Sequence, residues 1–495
     1  MEGAHASTTN TTLACKAAQD ILGLDRVDIK PLNQSAIEGN WSQACWEEPA
    51  CIIKAQTAQD VSKALQIVQD FQIPFTIRSG GHSPNPGWSS IMSPGILIDL
   101  SALDEIIVSE DRATVSVGSG KRWGTVYDVL DPHGVSVIGG RIPNVGVGGL
   151  LLGGGFFHFS QEYGLAADNV KQFEVCMTFN SKLKTEKLID RKVVLADGTI
   201  TTADTTHDAD LFWALKGGGP NFGIVTRYEL MTIPTNKIWY EFLVVSNSQA
   251  HAVIEVFEVW QKTSASTDAK GTVALIMGLD SITLGFIYSQ PATARPAAFD
   301  AFSSITPFTT AVPPTNGTVS SLTAILGAGF SSTPARHDYR AASSKIDAQL
   351  YKDVYDFWLE KATAVKAATG ANQTFTLQPV PRTLTEASEA RGGNPMGIAK
   401  EDHQWWTTLV DWANESDDEM VRSVSVATTE KWRELGEDRK SYMDYLYHND
   451  ASRDQNPIAT YGADNIARLK EIAANFDPNQ VFQKLQKDGF LLSKV

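Results

Sequence analysis

Glycine occupies residues 139, 140, 146, 148, 149, 153, 154 and 155, all within GGRIPNVGVGGLLLGGGFF (139–157). So many residues without a Cβ in one run imply that backbone must approach something flat or anionic closely. A second loop, TIRSGGHSPNPGW (76–88), follows a short apolar strand. Glycines placed after a strand let successive backbone N–H groups turn toward one point, which suits a phosphate. His82 then stands at the loop tip. The 139–157 run contains GVGGLL (146–151), which begins like a dinucleotide fingerprint but has Leu151 at the third glycine position and lacks a well-placed acidic residue. No Walker A pattern occurs.

At 495 residues the chain is longer than one hydrophobic core usually serves, so two or three domains are expected. A formal net charge of −15 argues against nucleic acid or an anionic membrane as partner. No run of 18 apolar residues is present, and no cysteine spacing suits a metal. Six N-x-[ST] sequons, at Asn10, Asn33, Asn40, Asn316, Asn372 and Asn414, together with three early cysteines, Cys15, Cys45 and Cys51, favour the secretory pathway. The N-terminal residues lack a signal pattern, which leaves the cytoplasm as the alternative.

To about Pro234 the chain alternates short strands closed by glycine, such as PFTIRSGG and GILIDL, with helical patterns such as VSKALQIVQDF. WYEFLVVS, GTVALIMGL and ITLGFIYS then alternate as antiparallel strands, and residues 336–364 carry a long polar helical pattern. Trp405 and Trp406, on a helix-like segment, read as packing or as a pocket wall. Residues 176–192 interrupt what would otherwise be a continuous FEVVLADG strand and turn. They read as a surface insertion or an unspliced intron without catalytic role, Cys176 included.

The order and spacing of RSGGHS, the GGG block with YGLAADNV (163–170), LKGGGPNFGIVT (215–226) and FDPNQVF (476–482) resemble the berberine-bridge-enzyme-like branch of the vanillyl-alcohol-oxidase flavoproteins. The resemblance spans nearly the whole chain. It implies an α+β fold. A PCMH-type FAD-binding domain of two α+β subdomains would comprise 30–235 and be completed by 436–495. A substrate domain over 236–435 would carry an antiparallel sheet covered by helices.

The resemblance also assigns residues. His82 takes the place of the histidine bonded to the flavin 8α carbon, with Arg78, Ser79, Gly80, Gly81 and Ser83 forming its loop. In relatives a G-x-C-P-x-V-G motif supplies a second, cysteinyl bond; here it reads GRIPNVG, with Ile142 at that place, so a single covalent link is expected. Val145 matches a small residue that leaves dioxygen a path to the flavin. Gly146, Gly148, Gly149, Gly153, Gly154, Asn221, Gly223, Ile224 and Asn449 match cofactor-binding positions. A disulfide from Cys15 to Cys51 follows from the family's N-terminal bridge, with Cys45 as the competing partner. The usual catalytic tyrosine is replaced by Asp450 in Tyr447-His448-Asn449-Asp450. In a strand, His448 and Asp450 would share a face and act as a proton-accepting pair, with Tyr447 as the rival base. The implied function is a monomeric FAD-dependent oxidase of a small-molecule substrate in specialised metabolism, with dioxygen as acceptor. A carbohydrate oxidase and an FAD-containing cyclase are the alternatives.

Overall fold

In the computed structural model, residues 8–177, 199–329, 331 and 333–495 are described. Three sheets succeed one another along the chain. The first has β1 (Val27–Ile29), β2 (Cys51–Lys54), β3 (Phe75–Arg78) and β4 (Ile96–Asp99) in the order β1-β2-β4-β3, with β4 parallel to both neighbours. All four residues of β4 are buried, as a central parallel strand requires. The helix Ala58–Asp70 covers this sheet. It starts at a capping box in which the Thr57 hydroxyl and the Asp60 carboxylate satisfy each other's backbone N–H, and Val61, Ala64, Leu65 and Val68 form its buried stripe.

The second sheet is antiparallel, with β5 (Ile106–Val108), β6 (Thr114–Gly118), β7 (Val170–Cys176), β8 (Ile200–Ala203) and β9 (Ile224–Met231) in the order β5-β6-β9-β7-β8. Cys176 therefore does not belong to an exposed insertion. It is fully buried and pairs with Ile200 on one side and Ile224 on the other. Residues 178–192 of the expected insertion lie outside the described residues.

The third sheet has eight antiparallel strands: β10 (Lys237–Val245), β11 (Gly271–Gly278), β12 (Ile282–Tyr288), β13 (Thr309–Thr318), β14 (Arg336–Lys345), β15 (Asn372–Val380), β16 (His403–Trp412) and β17 (Tyr442–Met443). Their order is β13-β10-β12-β11-β15-β16-β14-β17. Two expectations fail here. Residues 336–345 form a strand, and the helix begins only at Ala348. The strand escapes its pattern because Asp338 and Arg340 are buried polar residues, satisfied by Arg422, Thr429 and Asp454. Trp405 and Trp406 also lie on a strand. Successive side chains alternate, so Trp406 joins the core beneath the helices Ala250–Lys262, Ala348–Thr369 and Asp418–Asp438, while Trp405 joins the core on the opposite face.

That alternation gives the sheet two roles. Val273, Leu275, Phe375, Leu377 and Trp406 fill the helix-covered face. Ala341 and Trp405 face the glycine loops and the segment 445–451. The chain end closes the structure: Phe75 donates to Leu485 and accepts from Lys487, and the Asp477 carboxylate takes the backbone N–H groups of Val481 and Phe482. The N-terminal helix Thr8–Leu22 is tied to β2 by a Cys15–Cys51 disulfide, and Cys45 is a buried free thiol.

Candidate active site

The RSGGHS loop leaves β3 at Arg78, whose buried guanidinium donates to Asp99 at the end of β4 (Nε–Oδ2 2.9 Å). Ser79 Oγ donates to the Ser119 carbonyl, which joins the loop to the second sheet. Gly80 and Gly146 face each other so closely that a Cβ on either would strike the other's backbone. Gly81 turns with φ +64° and accepts from the Trp41 N–H at 2.8 Å. Ser83 Oγ accepts from the Asn85 N–H, an ordinary turn contact.

His82 is half-buried and its Nδ1 is buried without a hydrogen-bond partner. Trp41 meets the imidazole edge-on, with ring centroids 4.2 Å apart, and stacks flat on His337 at 3.7 Å. Burial, with the nearby positive charge of Arg122, lowers the His82 pKa to about 3. The ring therefore stays neutral and keeps a nitrogen lone pair.

In the second loop, Val145 is half-buried and its carbonyl accepts from Trp123. Gly148 packs on Ser79, Gly149 is open, Gly153 abuts the Asn449 amide, and Gly154, at φ +98°, abuts Met396. Asn221 is already saturated: it donates to Gly218 and Phe490 and accepts from Gln483 and Leu492. Gly223 is pressed against Val175, and Ile224 lies in the core around the first sheet. These three residues shape the loop from behind through packing and internal bonds.

The C-terminal segment departs from expectation. His448–Asp450 is a 3-10 turn, not a strand, so positions i and i+2 diverge around the axis instead of sharing a face. The His448–Asp450 pair does not form. His448 Nδ1 bonds the Tyr461 hydroxyl at 3.1 Å, and burial lowers its pKa to about 4. The Tyr447 hydroxyl accepts from the Phe156 N–H at 2.7 Å and from Asn449 at 3.2 Å, beneath a Trp405 ring stacked at 4.5 Å. Burial and the nearby Asp450 push the Tyr447 pKa up. Asn449 also donates to the Leu150 carbonyl.

Asp450 accepts from Gln378 Nε2 at 2.6 Å, and Gln378 Oε1 accepts from Arg141 at 2.7 Å. Burial raises the Asp450 pKa against the opposing pull of Arg141 and Gln378. Of the three candidate bases, Asp450 alone is a carboxylate whose proton affinity has been raised toward neutrality, as suits a general base. Sequence reasoning missed Arg141, Gln378, Trp41 and His337. Arg141 sits inside GGRIPNVG, where attention fell on Ile142. Gln378 falls on the polar register of the alternating run TFTLQ, with Thr374 and Thr376, so nothing in the sequence set it apart. Among the described residues no cluster suits a metal ion, and no helix is long and apolar enough to cross a membrane.

Residues 49–186 match the FAD binding domain family. The chain is 36% identical over 486 residues to an FAD-dependent monooxygenase of Arthrobotrys oligospora, covering 98% of this chain and 90% of that one. Its fold is similar to 6-hydroxy-D-nicotine oxidase from Arthrobacter nicotinovorans, with TM-score 0.77 and 18% identity, over 93% of this chain and 97% of that one. It is also similar to glucooligosaccharide oxidase from Acremonium strictum, described with a 6-S-cysteinyl, 8α-N1-histidyl FAD. There the TM-score is 0.76 and the identity 16%, over 97% and 100% of the two chains. The residues present fit FAD: Gly80 and Gly146 let the two glycine loops meet backbone to backbone, as a Cβ would forbid, and a neutral histidine holds an orphaned Nδ1 beside them. The chain belongs to the berberine-bridge-enzyme-like, FAD-linked oxidoreductases of the vanillyl-alcohol-oxidase superfamily.

Proposed function

We propose that the chain is an FAD-dependent oxidase of a small organic substrate in specialised metabolism, with the flavin bonded once, through His82. When bound, FAD supplies a two-electron acceptor that dioxygen restores, releasing hydrogen peroxide. His82 would hold the group covalently and Gly80, Gly81, Gly146 and Gly148 would line it with backbone. Ile142 offers no thiol for a second bond, and Val145 is the small residue that the family resemblance links to dioxygen access. The observation that carries the reading is Asp450: a carboxylate with a raised pKa in the turn His448–Asp450, held by Gln378 on the sheet face toward the glycine loops. It accepts the proton of a substrate O–H while the adjoining C–H gives up its hydride.

The test is anaerobic mixing followed by air. An oxidase bleaches its flavin with substrate and on reoxidation releases peroxide in step with substrate oxidised. A cyclase converts its substrate without bleaching. The name of the Arthrobotrys relative favours a second reading, a monooxygenase. It predicts a product that gains one oxygen atom from labelled dioxygen, whereas the oxidase predicts a product that loses two hydrogens.

A further inference from the structure

Between the third sheet and the glycine loops lies a cavity of about 70 Å³. One wall is β11 and β15, where Ile276 pairs with Thr376 and Leu275 with Leu377. Because Val273, Leu275 and Leu377 belong to the helix-covered core, Ala274, Ile276, Thr376 and Gln378 present their side chains to the other face. The opposite wall is Arg141 and the run Phe156–His158.

Arg141 and His158 are its two titratable lining residues, and no carboxylate lines it. The Arg141 guanidinium carbon stands 5.2 Å from the Phe156 ring centroid, and its bond partner is an amide, Gln378. Asp450 stands behind that amide, one hydrogen bond from the wall. A guanidinium carries five N–H donors, and a cation beside apolar walls is costly unless an anion or acceptor meets it. His158 is 7% exposed and its Nε2 is buried without a partner. Burial, then the charge of Arg141, keeps this imidazole neutral, with a pKa of about 3. A ring nitrogen without a partner and a guanidinium bonded to a neutral amide belong to residues that border one small cavity, and a ligand oxygen would answer both.

We propose that this cavity receives an acidic oxygen of the substrate, a phenol, enol or carboxylic acid on a mostly apolar skeleton, with Arg141 meeting the oxygen anion and His158 Nε2 an adjoining polar atom. This rests on the oxidase reading, whose substrate class it names. The volume is far below the roughly 300 Å³ of whole-ligand pockets, so it takes the polar head of the molecule rather than all of it. A sugar is disfavoured, because Phe156, Ala274 and Ile276 offer its hydroxyls no partners.

The test is calorimetric titration of the flavin-loaded chain with benzoate, benzamide and cellobiose, which reads binding whether or not turnover occurs. Charge-assisted hydrogen bonds contribute enough that benzoate should bind at least about tenfold more tightly than benzamide, with cellobiose weaker than both. Arg141→Gln should abolish the preference, and Arg141→Lys should retain part of it. His158→Phe should weaken both aromatic probes. Equal binding of benzoate and benzamide, tighter binding of cellobiose, or a preference that survives in Arg141→Gln overturns the proposal. If Arg141→Gln does not fold, the order of the three probes on the native chain and the Arg141→Lys result decide it. Absence of peroxide with an intact benzoate preference would refute the oxidase reading alone.

Discussion

Replacing Asp450 with Asn separates catalysis from stability. The Asn side chain keeps an oxygen to accept from Gln378 Nε2, so the link to Arg141 survives. What is lost is basicity. General-base losses of about a hundredfold or more correspond to about 3 kcal/mol or more in the barrier for substrate oxidation. Stability should move the other way. Burial raises the folded-state pKa of Asp450 above its unfolded value, so the folded chain holds this proton more tightly. The group's contribution is full below the unfolded pKa and is lost as pH rises through the folded one. Wherever the native carboxylate is ionised it bears a burial cost that Asn does not incur. Anaerobic stopped-flow flavin reduction should therefore slow by at least about a hundredfold in Asp450→Asn. The native rate should rise with pH through the raised pKa, and the variant should lose that limb. Its melting temperature near neutral pH should be equal to or above that of the native chain. A reduction rate within a few-fold of native would refute the assignment, and a large loss in Tyr447→Phe instead would transfer it to Tyr447.

Acid-precipitated native protein should stay yellow and carry the mass of one FAD, whereas His82→Ala should release or lack it; colour released from the native chain would remove the covalent link. Gly146→Ala should lower flavin content severalfold, because its Cβ meets the Gly80 backbone, and unchanged loading would show that the two loops can separate at little cost. Cys15 and Cys51 are 36 residues apart, so loop-closure entropy gives their bond about 4 kcal/mol. Cys15→Ser/Cys51→Ser should lose about that much in denaturant unfolding, and peptide mapping that paired Cys45 instead would refute the assignment. The Cys45 thiol, pushed up to about 12 by burial, should resist alkylation until the chain unfolds.

The glycine loops were legible because the demand they answer is local. Gly80 and Gly146 must be glycine for a reason visible in each loop alone, although their mutual contact joins residues 66 positions apart. The strands β10, β11 and β12 were legible because their runs are apolar and rich in β-branched and aromatic residues. β14 was not: Asp338 and Arg340 are buried polar residues whose partners, Arg422, Ser452, Thr429 and Asp454, lie elsewhere in the chain, and a polar pattern of that length reads as an exposed helix. The same limit hid the true surroundings of Asp450. Its neighbours in sequence suggested a pairing with His448, whereas Gln378, 72 residues away, holds it. Asn40, counted among the sequons, is buried and donates to the carbonyls of Cys45 and Ser89, so it is not available for a glycan without local unfolding.

Under the proposed assignment of Asp450 to the place of the family's tyrosine, the two faces of the third sheet bear on how a carboxylate is held there. The helix-covered face holds the domain together through fully buried rings such as Phe375, Trp406 and Trp432. The other face packs against the loops and carries Gln378, Trp405, His337 and Tyr339 toward them. A carboxylate introduced there costs stability in proportion to its desolvation, and Gln378 and Arg141 offset part of that cost without forming an ion pair that would silence the base. Had Asp450 been paired directly with Arg141, its pKa would fall below the usual carboxylate range and it would be a poor proton acceptor at neutral pH. The interposed amide keeps the charge close enough to hold the anion in place and far enough to leave its basicity high, which is the condition a general base at this site has to meet.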